Sequence, residues 1–170
     1  IKSATTDGFV NRAVIGAEMV RLGYVESVQR AFKTMLSEKH GYYKPPVRPG
    51  VFEIIRFIKS IGAVAVLAHP FLELDEAGLR KFLPLAKAAG LDAMETVYSK
   101  FDPDTEKLAK AIAEEFSLLQ SGGSDFHGLY NEYNVSLGDY TAPDDCMHAL
   151  LTYKAKQKRL QKKSSKHICK

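Results

Sequence analysis

Short apolar runs alternate with amphipathic segments through the second half of this 170-residue sequence, and this alternation constrains the fold more than any other feature. The runs cover residues 63–68, 91–98 and 117–120 and have the length of buried strands. Such a rhythm predicts β/α units around a parallel sheet. The first run is apolar throughout, so we expect it to be buried on both faces. A weaker fourth strand is predicted over residues 134–140.

The first fifty residues have the pattern of a helical hairpin followed by a connector. Apolar periodicity predicts helices over residues 9–22 and 26–39, and the prolines and glycines of residues 40–50 predict an irregular linker. We therefore divide the chain into residues 1–50, a β/α part at 51–153, and a basic tail at 154–170. The linker contains three candidate substrate contacts, for which packing against the body is the alternative: Tyr42, Lys44 and Arg48.

Composition places the chain among ordinary globular proteins. It is 45% hydrophobic and 26% charged, which suffices for one domain with a normal core. We see no apolar run long enough for a membrane span and no secretory leader, and the two cysteines have no recognisable metal spacing. These features predict a cytoplasmic protein with no membrane partner.

The formal charge of +4 comes from the end of the chain. Residues 154–170 hold eight of the 24 lysines and arginines and no acid. Such a run could bind nucleic acid, or it could be a solvated helix that frays into a disordered end. We favour the solvated helix, because no sequence-reading element accompanies the run.

Chemically active side chains follow the predicted strands. His69 ends the first, Glu95 lies in the second, and Asp125 and His127 follow the third within a glycine-rich turn. Because His69 precedes a proline, we expect extended backbone there. We expect the same at Asp125 and His127, since in an extended segment side chains two residues apart point to one face. The carboxyl ends of parallel strands meet at one edge of a sheet, where sites collect. These residues are therefore expected to converge.

Imidazole and carboxylate ligands suit zinc, manganese or iron, and such ions activate water for phosphate ester hydrolysis. A lone strand-end histidine is more often a hydrogen-bonded structural residue, and a Gly-Ser-Asp turn is ordinary loop chemistry. Together, however, the acid, the two imidazoles and their placement favour a metal site. Glu95 could be a ligand, a substrate contact or a structural acid.

Three segments of the sequence resemble the later motifs of the PHP (polymerase and histidinol phosphatase) family of metal-dependent phosphoesterases. They are residues 62–70, with Ala-His-Pro, residues 90–97, and residues 121–128, with Asp-Phe-His. The resemblance is closest to the branch that acts on nucleotides and RNA ends, and it extends over residues 5–137. It implies the carboxyl-terminal part of a distorted β/α barrel with a helical insertion. It also implies metal ligation by His69, Asp125 and His127, with catalysis centred on the latter two.

The departures from the family pattern are equally specific. Family members begin with His-x-His and Asp-His-Asp motifs that this sequence lacks, and the Gly-x-Glu position corresponds here to Ala93-Met94-Glu95. The resemblance therefore predicts an incomplete fragment that is a poor catalyst by itself. A partial barrel exposes strand edges, from which we predict homodimerisation. Two other functions stay open: a noncatalytic scaffold or nucleic-acid-binding module, and an amidohydrolase-like metal hydrolase.

Overall fold

A computed structural model of the chain describes residues 10–40, 42–126 and 136–168, for residues 160–168 the backbone alone. The described chain forms two compact units, with the boundary between Arg48 and Pro49. No helix of the described ranges is both long enough and apolar enough to cross a bilayer.

The first unit contains the predicted helical hairpin. The first helix, α1 (Arg12–Arg21), begins at Asn11, whose side chain accepts a hydrogen bond from the amide three residues on. The second, α2 (Val28–Lys33), begins at Ser27 in the same way. A Cβ added to the buried Gly16 of α1 would lie 3.1 Å from a side-chain carbon of α2. The two helices therefore pack closely, and the predicted hairpin is confirmed.

The second helix is shorter than the periodicity predicted. It ends at Lys33, and only a 3₁₀ turn at Glu38–His40 continues towards the linker. The hydroxyl of Thr34 donates to the carbonyl of Arg30 at 2.6 Å. Such a local side-chain bond competes with the helical ladder, which accounts for the early end.

The second unit is the predicted α/β assembly. Its three parallel strands lie in the order β1 (Val66–Leu67), β2 (Ala93–Tyr98) and β3 (Leu119–Gly123). Its helices are α3 (Val51–Ser60), α4 (Glu76–Ala89), α5 (Pro103–Glu115) and α6 (Asp144–Ile168). Helices α4 and α5 connect successive strands, so the alternation of apolar runs and helices is confirmed as β/α units.

One apolar core joins the sheet to these helices. Leu79 and Leu83 of α4, Met94 of β2 and Ile112 of α5 are fully buried, and Ile55 of α3 closes the cluster. Burying each such side chain stabilises the fold by roughly 1.5–3 kcal/mol.

The sheet is not a closed barrel in the described part of the chain. Strand β1 pairs only with β2 there, and Val66 is 42% exposed. The prediction that residues 63–68 form a strand buried on both faces is therefore wrong. Among the described residues β1 is the outer strand of the sheet, so one of its edges and the side chain of Val66 stay open to solvent, and its ladder with β2 covers only two residues.

Three further predictions differ from the structure. A proline within the helix predicted over residues 75–89 is expected to kink or split it, yet helix α4 is continuous through Pro84. The proline is exposed, so water can hydrate the carbonyl that the missing amide leaves unpaired. Strand β3 begins at Leu119, because Ser117 has φ +49° and ends the preceding turn. The described part of the predicted fourth strand, residues 136–140, is a turn in which Asp139 accepts from the Ser136 amide.

A buried acid fixes the amino edge of the sheet. The Asp92 side chain is 3% exposed and accepts from Lys59 Nζ at 2.7 and 2.8 Å. It also accepts from the Ala65 amide at 2.8 Å and from the Tyr153 hydroxyl at 2.6 Å. Helices α3 and α6 and the segment leading into β1 are thus joined through one carboxylate.

Candidate functional site

Three of the predicted site residues lie at the carboxyl edge of the sheet. His69 comes two residues after β1, Glu95 lies in the middle of β2, and Asp125 comes two residues after β3. The backbone amide of His69 donates to Glu95 Oε2 at 2.6 Å, which ties the end of one strand to the side chain of the next. The structure thus brings His69 and Glu95 into contact.

A β-bulge in β2 brings in a fourth residue that the sequence did not reveal. Glu95 pairs with Ser121 and Tyr98 pairs with Gly123, so β2 contains one more residue than β3 between these pairs. Because Ser121 and Gly123 lie on one face of β3, Glu95 and Tyr98 share a face as well. In a regular strand, a spacing of three would have put them on opposite faces.

Tyr98 links the two outer residues of the site. Its hydroxyl donates to Asp125 Oδ2 at 2.9 Å, and its ring centroid lies 5.4 Å from that of His69 at an interplanar angle of 45°. The tyrosine is fully buried, so its position is fixed by packing. It therefore holds the Asp125 carboxylate and the His69 imidazole beside the same ring.

Both outer residues have left-handed backbone, which corrects the prediction of extended backbone there. His69 has φ +29° and ψ +59°, and Asp125 has φ +53°. Non-glycine residues in this region cost of order 1–3 kcal/mol and persist where the surroundings hold them. The alternation argument for the Asp-x-His pair fails at Asp125, since β3 ends at Gly123. His127 lies outside the described residues, so its metal-ligand and catalytic roles stay predictions.

Two carboxylates influence each other at this edge. Burial raises the pKa of Glu95, and the charge of Asp125 raises it further. The hydrogen bond from the His69 amide and the charge of His69 act in the opposite direction. The net result is a pKa above the ordinary value, mainly because burial disfavours the charged form of the carboxyl group.

The donor set fits a divalent cation chemically. His69 Nδ1 is buried and has no hydrogen-bond partner among the described residues, which is unusual for a polar atom. An imidazole nitrogen and two carboxylates are ligands that zinc, manganese and iron accept. Within the described ranges, however, no three His, Cys, Asp or Glu side chains stand close enough to hold a metal together. A complete centre would therefore need donors beyond this set.

The three linker candidates belong to the first unit, whereas the strand-end site belongs to the second. Tyr42, Lys44 and Arg48 are exposed, and they lie in irregular backbone outside any helix or strand. Their contact with substrate stays a prediction.

Comparison with curated proteins finds bacterial ribonucleases. The 5′-3′ exoribonuclease of Haemophilus influenzae is 32% identical over 126 residues, which are 73% of this chain and 46% of the relative. The 5′-3′ exoribonuclease Rnm of Escherichia coli is 31% identical over 121 residues, 71% of this chain and 41% of the relative. The chain thus spans less than half the length of these relatives. No family model matches the sequence.

Solved structures share the fold. A candidate metal-dependent phosphoesterase from Bifidobacterium adolescentis has a TM-score of 0.70 and 30% identity, over 84% of this chain and 50% of that one. An amidohydrolase from Chromobacterium violaceum, solved with sulfate and no metal, has a TM-score of 0.67 over 79% of this chain and 46% of its own; at 20% identity it shows the fold alone. The resemblance found in the motifs is therefore supported at the level of a phosphoesterase-like α/β fold.

Proposed function

We propose that this chain is part of a metal-dependent phosphoesterase that hydrolyses phosphate esters of nucleotides or short RNA. The observation that carries the proposal is the placement of His69, Glu95 and Asp125 at the carboxyl edge of a parallel sheet, where His69 Nδ1 is buried without a hydrogen-bond partner among the described residues. The names of the ribonuclease and phosphoesterase relatives support the substrate class.

In this proposal His69 and Asp125, with His127, hold the cation, which is manganese, zinc or iron. When bound, such an ion would lower the pKa of a water molecule so that it ionises near neutral pH. The ion would also neutralise negative charge on the phosphate. The Tyr98 hydroxyl keeps Asp125 in position, and Glu95 fixes the backbone of His69. Asp125 and His127 are the groups we place against the reacting phosphate. Tyr42, Lys44 and Arg48 are proposed as weaker contacts to the substrate.

Metal content tests the site directly. We expect His69→Ala and Asp125→Asn to lower the manganese or zinc bound per chain, because each removes a ligand. His148→Ala and Glu114→Gln are matched controls, since both residues are exposed on helices and neither is a proposed ligand. Equal metal content in all five proteins would overturn the metal site.

Activity tests the substrate class. We expect release of phosphate or nucleotides from 5′-phosphorylated RNA or from a panel of nucleotides with added manganese, and loss of that release in His69→Ala. Amide substrates distinguish an amidohydrolase, whose fold this chain shares. Hydrolysis of amides but not of phosphate esters would overturn the proposal, whereas metal binding without any hydrolysis would favour the scaffold.

Two further expectations complete the proposal: a cytoplasmic location and a homodimer. The homodimer is supported by exposed apolar side chains on the open strand β1 and at α3: Val66 is 42%, Phe57 65% and Ile61 64% exposed. Burying such side chains in an interface would stabilise it. Light scattering over a concentration series tests the homodimer. Phe57→Glu should shift the protein towards monomer, and a monomer at every concentration in the unmodified chain would overturn it.

A further inference from the structure

The basic end of the chain is the continuation of a docked helix. Helix α6 runs without interruption from Asp144 to Ile168. Its tenth residue, Tyr153, donates to the buried Asp92 at 2.6 Å, and Lys59 Nζ lies 5.5 Å from the centre of the Tyr153 ring. The first part of α6 is therefore anchored to the core.

The direction of α6 follows from its two ends of contact. Ala142, just before the helix, lies against Gly122 near the carboxyl end of β3. Tyr153 contacts Asp92, whose carbonyl accepts from the amide of Leu119 at the start of β3. The helix therefore runs antiparallel to the strands and passes the amino edge of the sheet at Tyr153. The residues after Tyr153 add about 22 Å of helix at 1.5 Å per residue.

One side of residues 153–159 faces the protein, and the rest of these residues face solvent. Tyr153 and Gln157, one turn apart, are half-buried and mark the inner side. Within residues 154–159, whose side chains the structure describes, the basic side chains are exposed, and we call them the α6 basic face: Lys154, Lys156, Lys158 and Arg159. The sequence from residue 154 onwards contains no acid that could neutralise them.

We propose that the α6 basic face binds the phosphate backbone of single-stranded RNA at the end of the sheet opposite the candidate site. Lysine and arginine side chains on an anchored helix lose less conformational entropy on binding than those of a disordered tail would. Residues 154–159 contain no large apolar side chain on their outer side, so this part of the helix has no group that would insert into a bilayer. The choice of RNA as the bound anion rests on the function proposed above. The presence of the basic surface itself does not depend on that function.

The placement makes a specific demand on kinetics. Because the α6 basic face lies at the amino edge and the strand-end residues lie at the carboxyl edge, a mononucleotide cannot reach both. Loss of the face should therefore raise KM for long RNA and leave hydrolysis of a mononucleotide unchanged. If these lysine and arginine side chains had only a structural role, their loss would change the hydrolysis of both substrates alike.

Binding measurements on the full chain test the proposal. Fluorescence anisotropy with a labelled single-stranded RNA, in chelator so that hydrolysis is stopped, gives Kd across a salt series. We expect K154Q/K158Q/R159Q to raise Kd at least about fivefold and to lower the salt slope by about 2, since each phosphate contact contributes about 0.7. The control is R56Q/K81Q/K107Q, which removes the same three charges at exposed positions on α3, α4 and α5. We expect it to change Kd less than twofold.

The outcomes separate this proposal from the proposed function. Equal effects of both triple variants would overturn the α6 basic face, whether or not the protein hydrolyses RNA. Binding to anionic phosphatidylserine vesicles but not to RNA would overturn it as well. Selective loss of RNA binding in K154Q/K158Q/R159Q, with circular dichroism unchanged, would support it even in a protein that shows no hydrolysis.

Discussion

Two acidic residues of β2 and its start have contrasting surroundings: Asp92 is buried just before the first residue of the strand, and Glu95 is half-buried three residues further towards the carboxyl side. At the amino end, Asp92 accepts hydrogen bonds from an ammonium group, a backbone amide and a phenol. Towards the carboxyl side, Glu95 accepts from the His69 amide and lies near the charge of Asp125, and His69 Nδ1 is buried without a hydrogen-bond partner among the described residues.

This difference separates stability from function within one strand. A buried charge is tolerated when donors surround it, as they surround Asp92. Among the described residues no lysine or arginine forms an ion pair with Glu95, and the nearby His69 and Asp125 have left-handed backbone. Groups left unsatisfied or strained in this way are typical of sites that await a ligand.

The largest expected effect comes from breaking the satisfied end. Asp92→Asn keeps the shape of the side chain but leaves Lys59, which is 26% exposed, without its counter-charge. We expect the free energy of unfolding to fall by on the order of 3 kcal/mol, as for other broken buried pairs. Urea denaturation measures the change. Glu114→Gln, on the exposed side of α5, is the control and should change little, and a similar loss in both variants would contradict the special role of Asp92.

The next effect tests how tightly β2 and β3 approach at the bulge. A Cβ on Gly122 would lie 2.6 Å from Val97 Cβ and 2.8 Å from the Val97 carbonyl oxygen, whereas a Cβ on Gly123 would meet only Glu95 Oε1 at 3.9 Å. We expect Gly122→Ala to lower the free energy of unfolding by about 1–3 kcal/mol, the usual cost of overpacking.

Gly123→Ala is the matched control at the neighbouring position. Thermal unfolding of the two proteins should show a lower Tm for Gly122→Ala alone. Equal Tm values would mean that the strands can separate at the bulge without cost.

The parallel sheet and the edge at which the candidate residues lie were predictable from the sequence, because both depend on local pattern. Apolar runs and polar residues after them predicted where His69, Glu95 and Asp125 would lie. The bulge that turns Tyr98 to the same face leaves no such signal, since it is a property of pairing with β3. The contact between Tyr153 and Asp92 joins residues 61 positions apart and was equally invisible.

Left-handed backbone at the site was also beyond local rules. A residue before proline is biased towards extended conformations, yet His69 has φ +29°. Its amide is held by Glu95 from the neighbouring strand, so a tertiary contact overrides the local preference. The basic tail illustrates the same limit, because its charge was evident from sequence and its docking through Tyr153 was not.

A smaller effect is expected when one donor is removed from the satisfied end. The hydrogen bond to Asp92, burial and the charge of Asp92 raise the pKa of Tyr153 to about 12. Because the folded-state pKa lies above the unfolded value of about 10, the bond contributes fully below pH 10 and is lost as the pH rises towards 12. Tyr153→Phe should therefore be less stable at pH 8 by about 1 kcal/mol.

The pH dependence of that difference is the sharper measurement. The stability gap between Tyr153→Phe and the unmodified protein should narrow between pH 10 and pH 12. Tyr24→Phe, at an exposed tyrosine, should show no gap at either pH. A gap that is constant with pH would assign the loss to packing instead of to the bond with Asp92.

The smallest effect has the opposite sign and comes from the other end of β2. Because the pKa of Glu95 is raised, its ionised form is less favourable in the folded protein than in the unfolded chain. Its ionisation therefore costs stability once the pH exceeds the folded-state pKa, and protonation below the unfolded value restores it. In chelator at pH 7, Glu95→Gln should raise the free energy of unfolding by roughly 0.5 kcal/mol, and the gain should vanish at acidic pH. Added manganese should stabilise the unmodified protein more than Glu95→Gln, because the cation offsets the charge that the substitution removes. A loss of stability on the scale expected for Asp92→Asn would instead show that both ends of β2 are built for stability, and the contrast between them would fail.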